Sequence, residues 1–251
     1  MKLAVAIIAV AACRAPELSL GAAADAHLYQ DAYVGGPLLV QSASYPPYNN
    51  DEYGSGSSAF VVTLAAPTAI GHLLVVGVEL DSSAEVAAVS DDALPESAVF
   101  TAIPAASAVD SASGKRLELW YAPVTSSSAT HVGVEANGLI HAAVVWEFLT
   151  MNGMAIDAMA SSSDQPLAPH PVSPAVTTST VGEIVVVAVA SSAHVVGNDA
   201  IQGFAEDGVA NYDGWAHLGI VGNAVGTYYE EWDTPPAGTY CASVVAFAAA
   251  N

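Results

Sequence analysis

From about residue 37 onward, the apolar residues of this chain fall into short runs that turn-forming residues separate. Val, Tyr, Phe and Thr dominate the runs, while Gly, Pro, Asp and Ser end them, as in β-strands joined by turns. Apolar residues at helical spacing are hard to find beyond the N-terminus. The pattern predicts strands at residues 37–44, 59–64, 73–80, 98–103, 116–122, 130–136, 141–149, 175–180, 183–190, 215–221, 227–232 and 239–248.

Many short strands at such intervals indicate an all-β fold, a two-sheet antiparallel β-sandwich that resembles a jelly roll. Residues 37–251 are long enough for one such domain. The Ser- and Pro-rich segment 161–174 is interpreted as a crossover loop within it, with a linker between two domains as the alternative.

Acidic residues far outnumber basic ones, and this imbalance limits the partners. The chain has 25 Asp and Glu against four Lys and Arg, a formal net charge of −21. Lys2 and Arg14 lie near the N-terminus, which leaves Lys115 and Arg116 as the fixed cations of the body. Such a surface repels nucleic-acid phosphates and anionic lipid headgroups. Cations and neutral, hydroxyl-rich ligands such as glycans remain as partners.

The N-terminal residues are typical of an export signal. The apolar run at residues 3–12 is too short for a bilayer-spanning helix, which needs ~20 residues, but it suits a secretory signal. The segment Val10-Ala11-Ala12-Cys13 resembles the lipobox of bacterial lipoproteins. This resemblance implies a signal peptide at residues 1–12, diacylation of Cys13 and a tether at residues 13–36.

Lipidation would place the protein at the bacterial cell envelope, facing outward, with the anchor as its only membrane contact. Cleavage after Ala26 is an alternative, which would release a soluble protein beginning at His27. Burial of residues 3–12 as a strand is another.

One set of segments follows a recognisable order along the chain, at residues 39–44, 71–78, 89–91, 119–122, 143–148 and 242–247. This order resembles that of a broadly distributed family of secreted bacterial β-sandwich domains, and the resemblance implies the fold rather than a reaction.

Two sets of residues in the second half are candidates for ligand binding and catalysis. Trp215, Tyr228, Glu230 and Trp232 are predicted to form a platform on which sugar rings stack, because strand alternation puts the last three on one face. Glycoside cleavage requires a pair of carboxylates, and the candidates for this pair are Glu147, Glu231 and Asp233. Strand-end acids facing solvent are the alternative interpretation of these three residues.

The chain also contains oxygen-rich clusters of the kind that calcium binds. Asp207, Asn211 and Asp213 resemble the end of a calcium loop, although Val209 stands where an earlier acid is expected. Calcium is the one cofactor that the sequence indicates.

Three functions follow, of which the first is preferred. It is a non-catalytic cell-surface or secreted lipoprotein domain that binds a glycan or another envelope component. The others are a polysaccharide-cleaving enzyme and an adhesin or assembly subunit, which would show an exposed edge strand or an apolar patch.

Overall fold

The computed structural model describes residues 38–45, 57–150, 153–166, 170–193, 195, 201–210, 213–219, 225–233 and 238–249. This part of the chain forms antiparallel β-strands and two short 3₁₀ turns, without an α-helix. The predicted all-β, sandwich-like fold is confirmed. Cys13 and the predicted leader lie outside the described residues.

The first half of the chain forms an eight-stranded sheet. Its strands are β1 (Leu38–Tyr45), β2 (Ser57–Thr63), β3 (Leu73–Asp81), β4 (Val86–Asp91), β5 (Thr101–Ala102), β6 (Ala108–Asp110), β7 (Lys115–Pro123) and β8 (His131–Leu149). The main order is β1-β8-β3-β7-β5, while β2 and β4 pair with β8 and β6 pairs with β7. A 3₁₀ turn at Pro104–Ala106 follows β5.

The second half forms a five-stranded sheet of order β12-β13-β11-β15-β9 and a two-stranded sheet. The five strands are β9 (Met154–Pro166), β11 (Ile184–Ser191), β12 (Ala205–Ala210), β13 (Asp213–Gly219) and β15 (Thr239–Ala249). The small sheet pairs β10 (Val176–Thr177) with β14 (Thr227–Tyr228). A second 3₁₀ turn, Ile201–Gly203, precedes β12.

Buried apolar side chains of the described residues form three clusters. The central core lies between the two large sheets and includes Trp146, Trp215 and Phe247. The first outer core covers the other face of the eight-stranded sheet, and the second outer core covers the other face of the five-stranded sheet. The first centres on residues such as Phe60 and Leu74, and the second on residues such as Val187.

Strand β8 bends, which lets one sheet cover its own outer face. Phe60 of β2 pairs with Val134, and Tyr45 of β1 pairs with Ala143. Nine residues of straight strand span about 30 Å, yet the rings of Tyr45 and Phe60 stack with centroids 4.8 Å apart. The two halves of β8 therefore face each other across the first outer core.

Continuous apolar runs explain why both faces of each large sheet are covered. In β3, Leu73 and Val75 face the central core, whereas Leu74 and Val76 face the first outer core. Strand β11 divides its residues in the same way between the central and second outer cores. Polar and apolar residues do not alternate in a strand that is buried on both faces, and β3 and β11 follow this rule.

The predicted strands differ from the observed ones in several places. Strands β4, β6, β9 and β12 lie where no strand was predicted, and residues 175–180 and 227–232 contribute only the two-residue β10 and β14. Residues 130–136 and 141–149 are one strand, β8, and residues 98–103 contribute only the short β5. The predicted crossover loop at 161–174 begins inside β9, and β12 occupies part of the predicted calcium loop. Strands β9 and β12 are the two edge strands of the five-stranded sheet, where Ser and acidic side chains are tolerated.

The described residues include no helix long and apolar enough to cross a bilayer.

Candidate functional site

The indole rings predicted to bind a ligand lie inside the protein. Trp215 is 2% exposed and Trp232 is 0% exposed. Trp215 packs edge-on against Trp146 in the central core, with ring centroids 6.2 Å apart, and Trp232 belongs to the second outer core. Neither ring offers a face at the surface, which corrects the predicted stacking platform. Large aromatic side chains contribute most to stability when buried, and here that effect decides their position.

Tyr228 and Glu230 also lack the predicted arrangement. Strand β14 ends at Tyr228, so the alternation of one strand does not extend to Glu230 and Trp232. Tyr228 is partly buried against the second outer core. Glu230 is 0% exposed, and neither carboxylate oxygen has a hydrogen-bond partner among the described residues. Burial, followed by the charges of Glu206 and Glu231, raises the pKa of Glu230 to about 8.

Glu147, the first catalytic candidate, is a buried and fully engaged carboxylate. Its Oε1 accepts a hydrogen bond from the Ala69 amide at 3.0 Å and lies 2.6 Å from Nδ1 of His72. Its Oε2 accepts one from the Gln41 side chain at 2.5 Å. Glu147 pairs with Leu74 and so projects away from the five-stranded sheet. These contacts identify it as a structural anchor for the segment before β3.

Glu231 and Asp233, the other catalytic candidates, meet at one histidine. Nδ1 of His170 lies 2.6 Å from Oδ1 of Asp233 and 3.4 Å from Oε1 of Glu231. An isolated bridge pairs Glu231 with Val172, on the outer side of the five-stranded sheet. The structure therefore brings Glu231 and Asp233 together, but it keeps Glu147 on the opposite side of the sandwich.

Of the three predicted calcium ligands, Asp207 is the one whose side chain the structure describes. Oδ2 of Asp207 accepts a hydrogen bond from Nε1 of Trp146 and lies 2.6 Å from Nδ1 of His217. Both Asp207 and His217 have side chains 5% exposed. Asn211 lies outside the described residues, as does the side chain of Asp213. Where the structure describes the chain, no three His, Cys, Asp or Glu are arranged to hold a metal ion.

An open groove, which the sequence did not predict, crosses β7 near the edge of the eight-stranded sheet. We call it the Arg116 groove, and its volume is 370 Å³, within the range of small-ligand pockets (~300–1,000 Å³). Its polar lining is Glu85, Ser107, Arg116 and Glu118. Apolar atoms come from Trp120 and from Val86, Ala102, Ile103, Pro104 and Leu119.

Strand alternation places the polar groups of β7 in the groove. Arg116, Glu118 and Trp120 share one face and are each partly exposed, whereas Leu117 and Leu119 belong to the central core. Strand β4 supplies one wall of the groove, and the 3₁₀ turn after β5 supplies the other.

A network of contacts orients the charged groups of the groove. Arg116 donates from Nη1 to the Ala84 carbonyl at 3.0 Å, and its Nε lies 3.6 Å from Oε1 of Glu118. Nε1 of Trp120 donates to Oε2 of Glu118 at 3.3 Å. Burial raises the pKa of Glu118 even though Trp120 and Arg116 act to lower it. Guanidinium, carboxyl and indole groups are thus held side by side at a partly exposed wall.

The arrangement can hold a small ligand by stacking and hydrogen bonds together. The indole of Trp120 supplies an apolar surface, and Arg116, Glu118 and Ser107 supply donors and acceptors. The apolar residues that follow Trp120 in its strand favour core packing for this side chain, so this pattern alone does not point to the groove. The alternation Arg116-x-Glu118-x-Trp120 could have indicated the groove. It places one of the two fixed cations of residues 37–251 on the same strand face as an aromatic residue.

Comparison with known protein families, curated proteins and solved structures found no match. The resemblance to secreted bacterial sandwich domains therefore stays a prediction.

Proposed function

We propose that this chain is a non-catalytic domain of the bacterial cell envelope that binds a neutral, hydroxyl-rich ligand, such as part of a glycan, in the Arg116 groove. The observation that carries the proposal is the row of Arg116, Glu118 and Trp120 along one wall of the groove. Sugar recognition needs this combination, because a sugar ring has apolar faces and hydroxyl groups around its edge.

The charge of the protein favours a neutral ligand over an anionic one. The net charge is −21, and the guanidinium of Arg116 already lies 3.4 Å from Glu85 and near Glu118. Little positive charge is left for an anion. A sugar hydroxyl can instead donate to Glu118 and accept from Arg116 without adding charge.

The envelope location belongs to the proposal and rests on the lipobox-like segment that ends at Cys13. Intact-mass analysis of the mature protein tests it. We expect an N-terminal Cys13 that carries a diacylglycerol group, whereas an unmodified start at His27 would contradict lipidation.

A glycan array followed by calorimetry tests the binding proposal. We expect Trp120→Ala to weaken binding about tenfold, since stacking contributes ~0.5–1.5 kcal/mol beyond the area buried. Glu118→Gln should weaken it less, because the amide keeps one acceptor. Tyr228→Ala is the matched control, since Tyr228 is a partly exposed aromatic residue on a different sheet.

Two outcomes would overturn the proposal. One is an array on which the wild-type protein binds nothing. The other is binding that Trp120→Ala and Glu118→Gln leave unchanged.

A further inference from the structure

Lys115 and Glu79 form an ion pair inside the sandwich. Nζ of Lys115 lies 2.6 Å from Oε1 of Glu79, and the two side chains are 6% and 1% exposed. Removing two charges from water is costly even when the charges are paired. A neutral product of the same two groups would avoid that cost.

The pairing of β3 with β7 brings the two side chains to the same face. Val75 of β3 and Leu117 of β7 both belong to the central core. Strand alternation puts Glu79 on the side of Val75 and Lys115 on the side of Leu117. Glu79 lies opposite Leu117 in the register, so Glu79 and Lys115 are diagonal neighbours on this face.

The nitrogen of Lys115 is close enough to the carboxyl group of Glu79 for a bond to form. A nitrogen 2.6 Å from a carboxylate oxygen lies within about 3.5 Å of the carboxyl carbon at ordinary angles, which is the separation of a near-attack arrangement. Among the described residues, Oε1 of Glu79 has no hydrogen bond of normal geometry. No aligned donor there holds this oxygen in place.

Asp110 is a second buried carboxylate beside Lys115. It lies directly opposite Lys115 on β6 and is 0% exposed. Its Oδ2 accepts a hydrogen bond from the Thr239 hydroxyl at 2.8 Å, and its Oδ1 accepts one from the Ala112 amide at 3.2 Å. Both oxygens of Asp110 are therefore satisfied as an anion, which makes Glu79 the carboxylate that reacts.

We propose that Lys115 and Glu79 join in an isopeptide bond, which the folded chain forms without another enzyme. The ammonium group passes one proton to the Glu79 carboxylate and becomes a neutral amine, the nucleophilic form of lysine. The amine attacks Cδ of Glu79, so that the Nζ–Cδ bond forms and one Cδ–O bond breaks.

The atoms and charges of this reaction balance. The departing oxygen takes the transferred proton and a second proton from Nζ, and it leaves as one water molecule. One proton stays on the amide nitrogen, and the two charges of the ion pair cancel. The reaction needs no oxidant, reductant or co-reactant.

Burial favours the product in two ways. The amide is neutral, so it relieves the desolvation of the ion pair. The central core also excludes the water that would hydrolyse the amide. The bond would join β3 to β7 and close a loop from residue 79 to residue 115, which restricts the unfolded chain as a disulfide does.

The intact masses of the full-length wild type and of Lys115→Arg test the proposal. We expect the wild type to lose the mass of one water molecule relative to its sequence, and Lys115→Arg to lose none. Arginine is the matched control, because it keeps the positive charge beside Glu79 but offers no amine nucleophile. Processing of the N-terminus is common to both proteins and cancels in the comparison.

Digestion of the unfolded protein with an endopeptidase specific for glutamate locates the bond. The enzyme cuts after Glu52, Glu85, Glu96 and Glu118 but not after an amidated Glu79. We therefore expect residues 53–85 to stay joined to residues 97–118 in the wild type. A bond from Lys115 to Asp110 would lie within residues 97–118 and would join no second peptide.

Joined peptides in the wild type that are absent from Lys115→Arg support the isopeptide bond. A wild type of full mass overturns the proposal, as does a water loss that persists in Lys115→Arg or is confined to residues 97–118. The wild-type masses decide the question even if Lys115→Arg folds poorly.

Discussion

Two buried glutamates, Glu147 and Glu230, have opposite environments. Both are 0% exposed. Three groups converge on Glu147, from Gln41, Ala69 and His72. The carboxylate of Glu230, in contrast, has no hydrogen-bond partner within the part of the chain that the structure describes. Burial of an acid is therefore not itself a sign of function. A carboxylate whose donors are all present holds the fold together, and one without donors calls for a proton or a cation.

The same substitution should destabilise the protein at Glu147 but not at Glu230, and this difference in stability is the largest effect we expect. Glu147→Gln replaces an acceptor with an NH₂ group that faces donors, so the free energy of unfolding should fall by about 3 kcal/mol and the Tm by about 10 °C. Glu230→Gln in EDTA at pH 8 should leave the Tm unchanged or raise it, because it removes an unpaired charge.

Chemical denaturation of the two variants at pH 8 measures this difference. Gln41→Ala, which removes one donor to Glu147, should give an intermediate loss. Equal losses in Glu147→Gln and Glu230→Gln would contradict the contrast between the two acids.

The second test uses the pH dependence of stability. The pKa of Glu230 is raised from its ordinary 4.5 to about 8, so the folded state binds a proton that the unfolded state releases between these values. Stability from this group is full below pH 4.5 and declines as pH rises to 8, by up to ~1.4 kcal/mol per pH unit. Above pH 8 the decline stops.

Urea denaturation from pH 5 to pH 9 in EDTA follows this decline. Other acids contribute to the curve of a protein with net charge −21, so the difference between wild type and Glu230→Gln is the quantity to compare. A difference that does not change with pH would show that Glu230 ionises normally.

The strands could be predicted from the sequence more reliably than the layers. Residues 73–80 and 183–190 are continuous apolar runs, and the structure has β3 and β11 there. A sandwich of two sheets is expected to expose the outer face of each sheet to solvent. In the structure both faces of these strands are buried. The bend of β8 was also missed, because two predicted strands at 130–136 and 141–149 join through polar and Gly residues within one strand.

The site could be predicted only in part, because burial depends on contacts between distant segments. Trp215 and Trp232 stand beside acidic residues in the sequence, yet Trp215 is buried in the central core and Trp232 in the second outer core. Trp120 lies in an apolar strand, yet it lines an open groove because the short β5 leaves β7 near the sheet edge. Glu230 was selected from the sequence for its neighbours, and its lack of partners appears only in three dimensions.

Asp92 supplies the smallest effect and shows what solvent adds to the comparison. Burial acts to raise its pKa, but hydrogen bonds from the side chains and amides of His131 and Thr130 outweigh it and hold the pKa well below 3.8. Its side chain is 44% exposed, so water screens these interactions. Asp92→Asn keeps an acceptor for both amides and should cost less than about 1 kcal/mol at pH 7.

The sign of the Asp92 contribution follows from its lowered pKa. Its stabilisation is present above pH 3.8 and is lost as pH falls below that value, because the unfolded state takes up the proton first. Urea midpoints of Asp92→Asn and wild type should therefore converge in acid and differ slightly at pH 7. If Asp92→Asn costs as much as Glu147→Gln, the number of donors alone decides what a carboxylate contributes. If it costs much less, as we expect, exclusion of water is what makes the donors of Glu147 effective.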